Sequence, residues 1–255
     1  IGLLFLNSTL KLFEISDVHR TITLLTCVFG TNLFFYIVGE PSTSHSFSFG
    51  FISMFVYYSK RYFDHIQGKD FVILSLLLGM IILIRPVNGL ILFIWPFLAG
   101  DFENLKIGFR AIFNQYRYLI LSAIGFFLIV SIQLIIYKIS TGSFFVYAYA
   151  EEGFVFSEPH IIDILFSYRK GLFLYTPIYL ISFAGLFYLW KQNRFQVFAW
   201  LGFFLLITYV FSSWWMWYYG GSFSSRVYVE FLPVFMLLLA IALKEIKLKP
   251  IRSEE

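Results

Sequence analysis

The segment Leu119–Ile136, LILSAIGFFLIVSIQLII, runs for 18 residues without a charge. As a helix it covers roughly 27 Å, close to the ~30 Å hydrocarbon core of a bilayer. Neither this stretch nor Val197–Phe211 alternates apolar with polar residues, so neither reads as a strand of a transmembrane barrel. The segment predicts a membrane-spanning α-helix, and the composition extends that reading to the whole chain. Of 255 residues, 59% are hydrophobic, 22% aromatic and 13% charged, with a mean hydropathy of +0.78. A soluble domain carries roughly 25% charge. A water-soluble enzyme and a disordered chain are excluded. A disulfide scaffold is excluded too, because the single Cys27 has no partner.

Working outward, nine apolar segments can be marked: 1–10, 20–39, 45–59, 71–84, 87–99, 117–137, 171–189, 196–213 and 229–243. They predict an all-α, polytopic transmembrane helical bundle, one domain over residues 1–255, with about eight full or short membrane helices plus one partial. The partial one is the first, since the chain opens at Ile1 inside it. This predicts the central and C-terminal part of a longer membrane domain. Between the fourth and fifth segments, Arg85-Pro86-Val87-Asn88 breaks the run, because Pro lacks a donor and restricts the residue before it. A hairpin of two short helices with Arg85 at its tip is predicted, the alternative being one long helix with a kinked, buried arginine.

Lys and Arg in the loops set the orientation. With the C-terminal tail cytoplasmic, 14 of the 19 basic residues fall on the inner side. Arg85, Lys138, Arg169, Lys170 and Arg226 fall on the outer side. The distinctive polar segments Gly39–Ser48, Arg85–Asn88, Lys138–Lys170 and Ser212–Glu230 then share the outer face. A membrane protein whose active face is on the non-cytoplasmic side is predicted. The inner loop Asp101–Tyr116 reads as an interfacial amphipathic helix.

The outer basic residues are the first candidates for chemistry. Arginine's planar fork suits phosphate oxygens and lysine offers a point charge, although helix-end anchoring in headgroups explains such residues equally well. Arg226 stands apart because it follows Trp214-Trp215-Met216-Trp217-Tyr218-Tyr219-Gly220-Gly221. An aromatic belt accounts for the rings, but it does not require two glycines and then an arginine. The outer carboxylates Glu40, Glu151, Glu152, Glu158, Asp163 and Glu230 read as solvated loop residues, with Glu40 a weak candidate base. His45 and His160 read as local hydrogen-bonders near helix ends, and Thr43 or a neighbouring serine as a helix cap. No zinc-ligand spacing, nucleotide loop or nucleic-acid stripe appears.

Four pieces together resemble the large membrane glycosyltransferases of the GT-C superfamily, in particular bacterial relatives of the protein O-mannosyltransferases and of the lipid A aminoarabinose transferase. They are Gly30-Thr31-Asn32-Leu33-Phe34-Phe35-Tyr36 leading to Ser44-His45-Ser46; Gly79 ahead of Arg85-Pro86-Val87-Asn88; Arg169-Lys170-Gly171-Leu172-Phe173-Leu174-Tyr175-Thr176-Pro177; and Trp215-x-Trp217-x-x-Gly220-Gly221 before Arg226 and Pro233. The resemblance implies an inverting transferase that moves a sugar from a polyprenyl-phosphate carrier to a lipid, glycan or protein acceptor. It implies phosphate binding by Arg226, Arg85, Arg169 and Lys170, and sugar or acceptor contact by Trp215, Trp217, Tyr219, Gly220, Gly221 and His45. The family's catalytic aspartate would lie before Ile1. A divalent metal assists some relatives, though no residue here demands one, and no nucleic-acid partner is implied. An envelope polysaccharide polymerase or ligase, a transporter and an assembly subunit are the rival readings.

Overall fold

The computed structural model describes residues 1–146 and 152–245. Among these residues regular structure is helical, apart from one isolated bridge between Phe154 and Trp214. Glu151 and the tail residues Lys247, Lys249 and Arg252 lie outside the described residues. The helices are α1 (Gly2–Leu12), α2 (Asp17–Phe29), α3 (Ser44–His65), α4 (Gly68–Ile84), α5 (Trp95–Ala99), α6 (Phe102–Asn114) and α7 (Tyr116–Thr141). After them come α8 (Ile161–Phe166), α9 (Leu172–Tyr175), α10 (Ile178–Ser182), α11 (Ala184–Gln192), α12 (Arg194–Ser212) and α13 (Leu232–Lys244). A π-helical turn occupies Phe35–Gly39, and 3-10 helices occupy Pro86–Ile94 and Arg226–Phe231.

Among the described residues, three helical stretches are long and apolar enough to cross a membrane: Tyr116–Thr141, Arg194–Ser212 and Arg226–Lys244. Two predicted segments are instead broken. Within 20–39, α2 ends at Phe29, Thr31 Oγ1 turns back to donate to Cys27 O at 2.5 Å, and Leu33 N donates to Thr31 Oγ1 at 3.2 Å. Within 171–189, Pro177 cannot continue the ladder, and three short helices replace one. Helix α3 has length enough, but its serines and Lys60-Arg61 make it less apolar. Thr43 sits at its N-cap without capping it, because its hydroxyl donates backward to Glu40 O.

The hairpin around Arg85 is present. Helix α3 starts at His45, which meets Arg85 at the end of α4, and finishes near Arg61, which pairs with Asp70 at the start of α4. The two helices are therefore antiparallel. Beyond Arg85 the chain returns alongside α3: Asn88 Nδ2 donates to Ser48 Oγ at 3.1 Å and Trp95 Nε1 to Ser59 Oγ at 3.0 Å. Arg85 is extended, with φ −152° and ψ 112°, which is what a residue before proline favours.

Helix α13 is the centre of the bundle, with nearly all its side chains buried. Helix α11 packs against it so closely that a Cβ on Gly185 would meet Leu238 O at 2.2 Å. Helix α7 is peripheral. It packs on α4, where a Cβ on Gly79 would come within 3.2 Å of Ile129, and leaves most of its apolar surface exposed. Helix α6 is amphipathic as expected: Asp101 caps it through Asn104 N at 2.7 Å, Ile112 is buried, and Phe102, Ile107, Phe109 and Phe113 are exposed. The result is a bundle with two distinct ends. His45, Arg85, Arg226 and Glu230 gather at one, and Arg61 and Asp70 lie at the other.

Candidate functional site

At the Arg85 end, a cavity of about 760 Å³ opens between the tips of α4 and α7 and the loop 213–225. Its aliphatic wall is Ile82 and Leu83 of α4 with Val130 and Leu134 of α7. Its other wall carries Arg85, Arg226, Trp215, Met216, Tyr219 and Gly220, with Glu152 also lining it. Gln133 and Tyr137 of α7 also line it, so guanidinium, amide and ring groups share the cavity with aliphatic side chains. Arg226 makes no ion pair with any described residue, and its buried Nε has no hydrogen-bond partner. A buried donor left unpaired costs roughly 1–3 kcal/mol, which an anionic ligand would recover.

Behind Arg85 lies a buried polar group. Glu230 Oε1 accepts from Arg85 Nη1 at 2.6 Å and from His45 Nδ1 at 2.9 Å. Glu230 is fully buried and His45 nearly so, while Arg85 is half-buried and reaches the cavity. Glu230 Oε2 has no partner among the described residues. The solvated-loop reading of Glu230 is thereby corrected. The 3-10 turn Arg226–Phe231 carries the side chain inward at the head of the central helix, where a carboxylate persists only with cationic or donor partners.

Loop 213–225 is held from several sides. Lys170 Nζ donates to Gly220 O at 2.8 Å, to Ser222 O, and to Ser222 Oγ at 3.3 Å. Burial and the neighbouring Arg226 and Arg169 lower the Lys170 pKa, against a weaker opposing pull from Glu40. The Arg169 guanidinium lies 3.3 Å from the centre of the Tyr218 ring. Tyr36 OH donates to Phe223 O at 2.9 Å and accepts from Phe223 N at 3.1 Å. Thr176 Oγ1 donates to Ser224 Oγ at 3.1 Å, and Tyr219 OH to Phe211 O at 2.8 Å. These contacts hold a strained loop: Tyr219, Gly220 and Ser224 all have positive φ, at 54°, 67° and 54°. Only glycine takes that conformation without cost. Gly171 is needed for space, because a Cβ there would meet Ser167 N at 2.6 Å.

The role of Lys170 can be checked directly. Lys170→Met leaves two carbonyls without their charged donor, so amide exchange over residues 217–226 should quicken by about tenfold or more, with α13 unchanged. Unchanged exchange in the loop would show that the lysine does not hold it.

No family model, curated protein or solved structure matches the chain. The site is thus described by its own geometry.

Of the residues singled out from the sequence, Arg85, Arg226, Trp215, Tyr219 and Gly220 line the cavity together. Arg169 and Lys170 do not line it; they grip the loop that forms its wall. His45 is buried against Glu230, its ring 4.9 Å from that of Tyr36, and is not positioned to touch a sugar. Trp217 stacks on His160 outside the cavity, and Gly221 lies in the exposed part of the turn. Glu40 follows the π turn without reaching the cavity wall. The carboxylates that matter here are Glu230 and Glu152. One signal for Glu230 was visible in the sequence, since it interrupts the apolar run Val227-Tyr228-Val229-Glu230-Phe231-Leu232. Among the described residues, no three His, Cys, Asp or Glu side chains cluster to hold a metal.

Proposed function

We propose that the chain belongs to a membrane glycosyltransferase. It moves a sugar from a polyprenyl-phosphate carrier to an envelope acceptor on the non-cytoplasmic face. The observation that carries this reading is the mixed lining of the cavity: two arginines and an aromatic loop together with aliphatic side chains of α4 and α7. A lipid phosphate has the same mixture. Its headgroup would take the guanidinium forks and its tail the α4–α7 wall. Trp215 and Tyr219 offer ring faces for the sugar. As the glycosidic bond breaks, negative charge grows on the departing phosphate, and a cation already aimed at that position lowers the barrier. A carboxylate base takes the acceptor's proton. The carboxylate at the cavity that could serve is Glu152. The test is binding of a radiolabelled polyprenyl-phosphate hexose by the chain in lipid nanodiscs. Saturable binding displaced by unlabelled polyprenyl phosphate is expected, and its absence would remove the reading.

The proposal includes the membrane arrangement: nine apolar segments in the bilayer, some as short or broken helices packed inside the bundle, with the C-terminus cytoplasmic. Broken helices survive at membrane depth when protein or a cavity surrounds them. The exposed positions Ser143 and Ser157 lie on the proposed outer side, and Gln192 on the inner. In a Cys27→Ala background, Ser143→Cys and Ser157→Cys should react with an impermeant thiol reagent added to intact cells, and Gln192→Cys only after permeabilisation. The reverse pattern would turn the protein over and put the cavity on the cytoplasmic side.

A further inference from the structure

Glu230 influences the cavity without lining it. Its carboxylate sits behind Arg85, taking that guanidinium at 2.6 Å and His45 at 2.9 Å on the same oxygen. Arg85 itself lines the cavity beside Arg226. A buried charge is poorly screened, so it is felt over several ångströms where an exposed one would not be. The two cavity arginines therefore differ. Arg85 is neutralised from behind, whereas Arg226 has no ion-pair partner among the described residues. Such a site suits a ligand bearing one negative charge and works against a second.

We propose that Glu230 is a selectivity-determining residue of the cavity. By neutralising Arg85 it favours a lipid phosphodiester, with one negative charge, over a lipid diphosphate diester, with two. The inference rests on the lipid-phosphate reading of the cavity. It differs from a purely structural role for the ion pair, which would alter stability and leave the preference between the two ligands alone.

The test compares two probes on the chain in nanodiscs at pH 8, above the ordinary titration range of histidine. One is geranyl methyl phosphate and the other geranyl methyl diphosphate. Glu230→Gln keeps the side chain's shape and removes its charge. It should shift the affinity ratio toward the diphosphate by about tenfold, the size expected for one unit charge several ångströms from the ligand at an effective dielectric of about 20. Arg85→Gln should shift the ratio the other way. Adding Glu230→Gln to Arg85→Gln should then move it back by about tenfold, in a background where the Arg85–Glu230 pair is already gone and only the His45 contact remains. That second comparison decides the matter if the single Glu230 variant does not fold. A ratio unchanged at both steps, with both probes still bound, would overturn the inference while leaving the cavity a lipid-phosphate site. If the wild-type chain binds neither probe, the cavity reading itself fails and takes the inference with it.

Discussion

Under the proposed glycosyltransferase reading, Arg226→Ala is expected to lower sugar transfer by about 10²-fold or more, the usual effect of losing one preorganised charge-stabilising group. Arg226 lines the cavity, its Nε is buried without a partner, and no described residue pairs with its charge. A guanidinium in that state is arranged for a ligand rather than for the fold, so expression and thermal stability should change little. Arg226→Lys keeps the charge and loses the two-pronged geometry, and its rate should fall between those of alanine and wild type. Arg110, exposed on α6 at the other end, is the control, and its alanine variant should transfer sugar normally. Near wild-type transfer by Arg226→Ala would reduce the residue to a headgroup anchor and move the phosphate site toward Arg85.

The second large effect concerns stability, at the opposite end of the bundle. Arg61 Nε donates to Asp70 Oδ2 at 3.0 Å and Nη2 donates to Asp70 Oδ1, a two-pronged pair that ties α3 to α4. The partners are unequal: the Asp70 side chain is 0% exposed, whereas that of Arg61 is 28% exposed and also lies over the Tyr58 ring. Removing the arginine strands a buried carboxylate. Arg61→Met should therefore destabilise the protein by about 3–5 kcal/mol. Asp70→Asn should cost less, since the arginine head can turn toward solvent. Arg61→Met combined with Asp70→Leu should recover most of the loss, because neither charge then remains to be desolvated. Chemical or thermal unfolding in one detergent would rank the three. Equal losses for the two single variants would contradict the asymmetry.

Much of the candidate site was legible in the sequence. The Gly30–Tyr36, Arg169–Pro177 and Trp215–Arg226 pieces were picked out separately, and the structure brings them to one loop, through Tyr36 on Phe223, Lys170 on Gly220 and Thr176 on Ser224. Which of the basic residues faced a cavity was not legible. Arg169 and Lys170 look as suitable for phosphate as Arg85 and Arg226 do when only residue type and position along the chain are known. Their donors turn out to be occupied by a ring and by backbone carbonyls.

Composition and apolar runs by themselves determined that the chain is helical, where its apolar segments lie, and that Arg85-Pro86 interrupts one of them. These are local properties: segment length, the missing donor of proline, and the transfer free energy of side chains summed along one stretch. Only the tertiary structure decided that Lys170 is a clamp and that Glu230 is buried behind Arg85. The partners in these decisions are far apart in the chain: His45 and Glu230 are 185 positions apart, and Arg85 and Glu230 are 145 apart. A buried charge is tolerated only where its counter-charge arrives from elsewhere in the fold. That arrival depends on how α3, α4 and α13 pack, which no single stretch of the sequence contains.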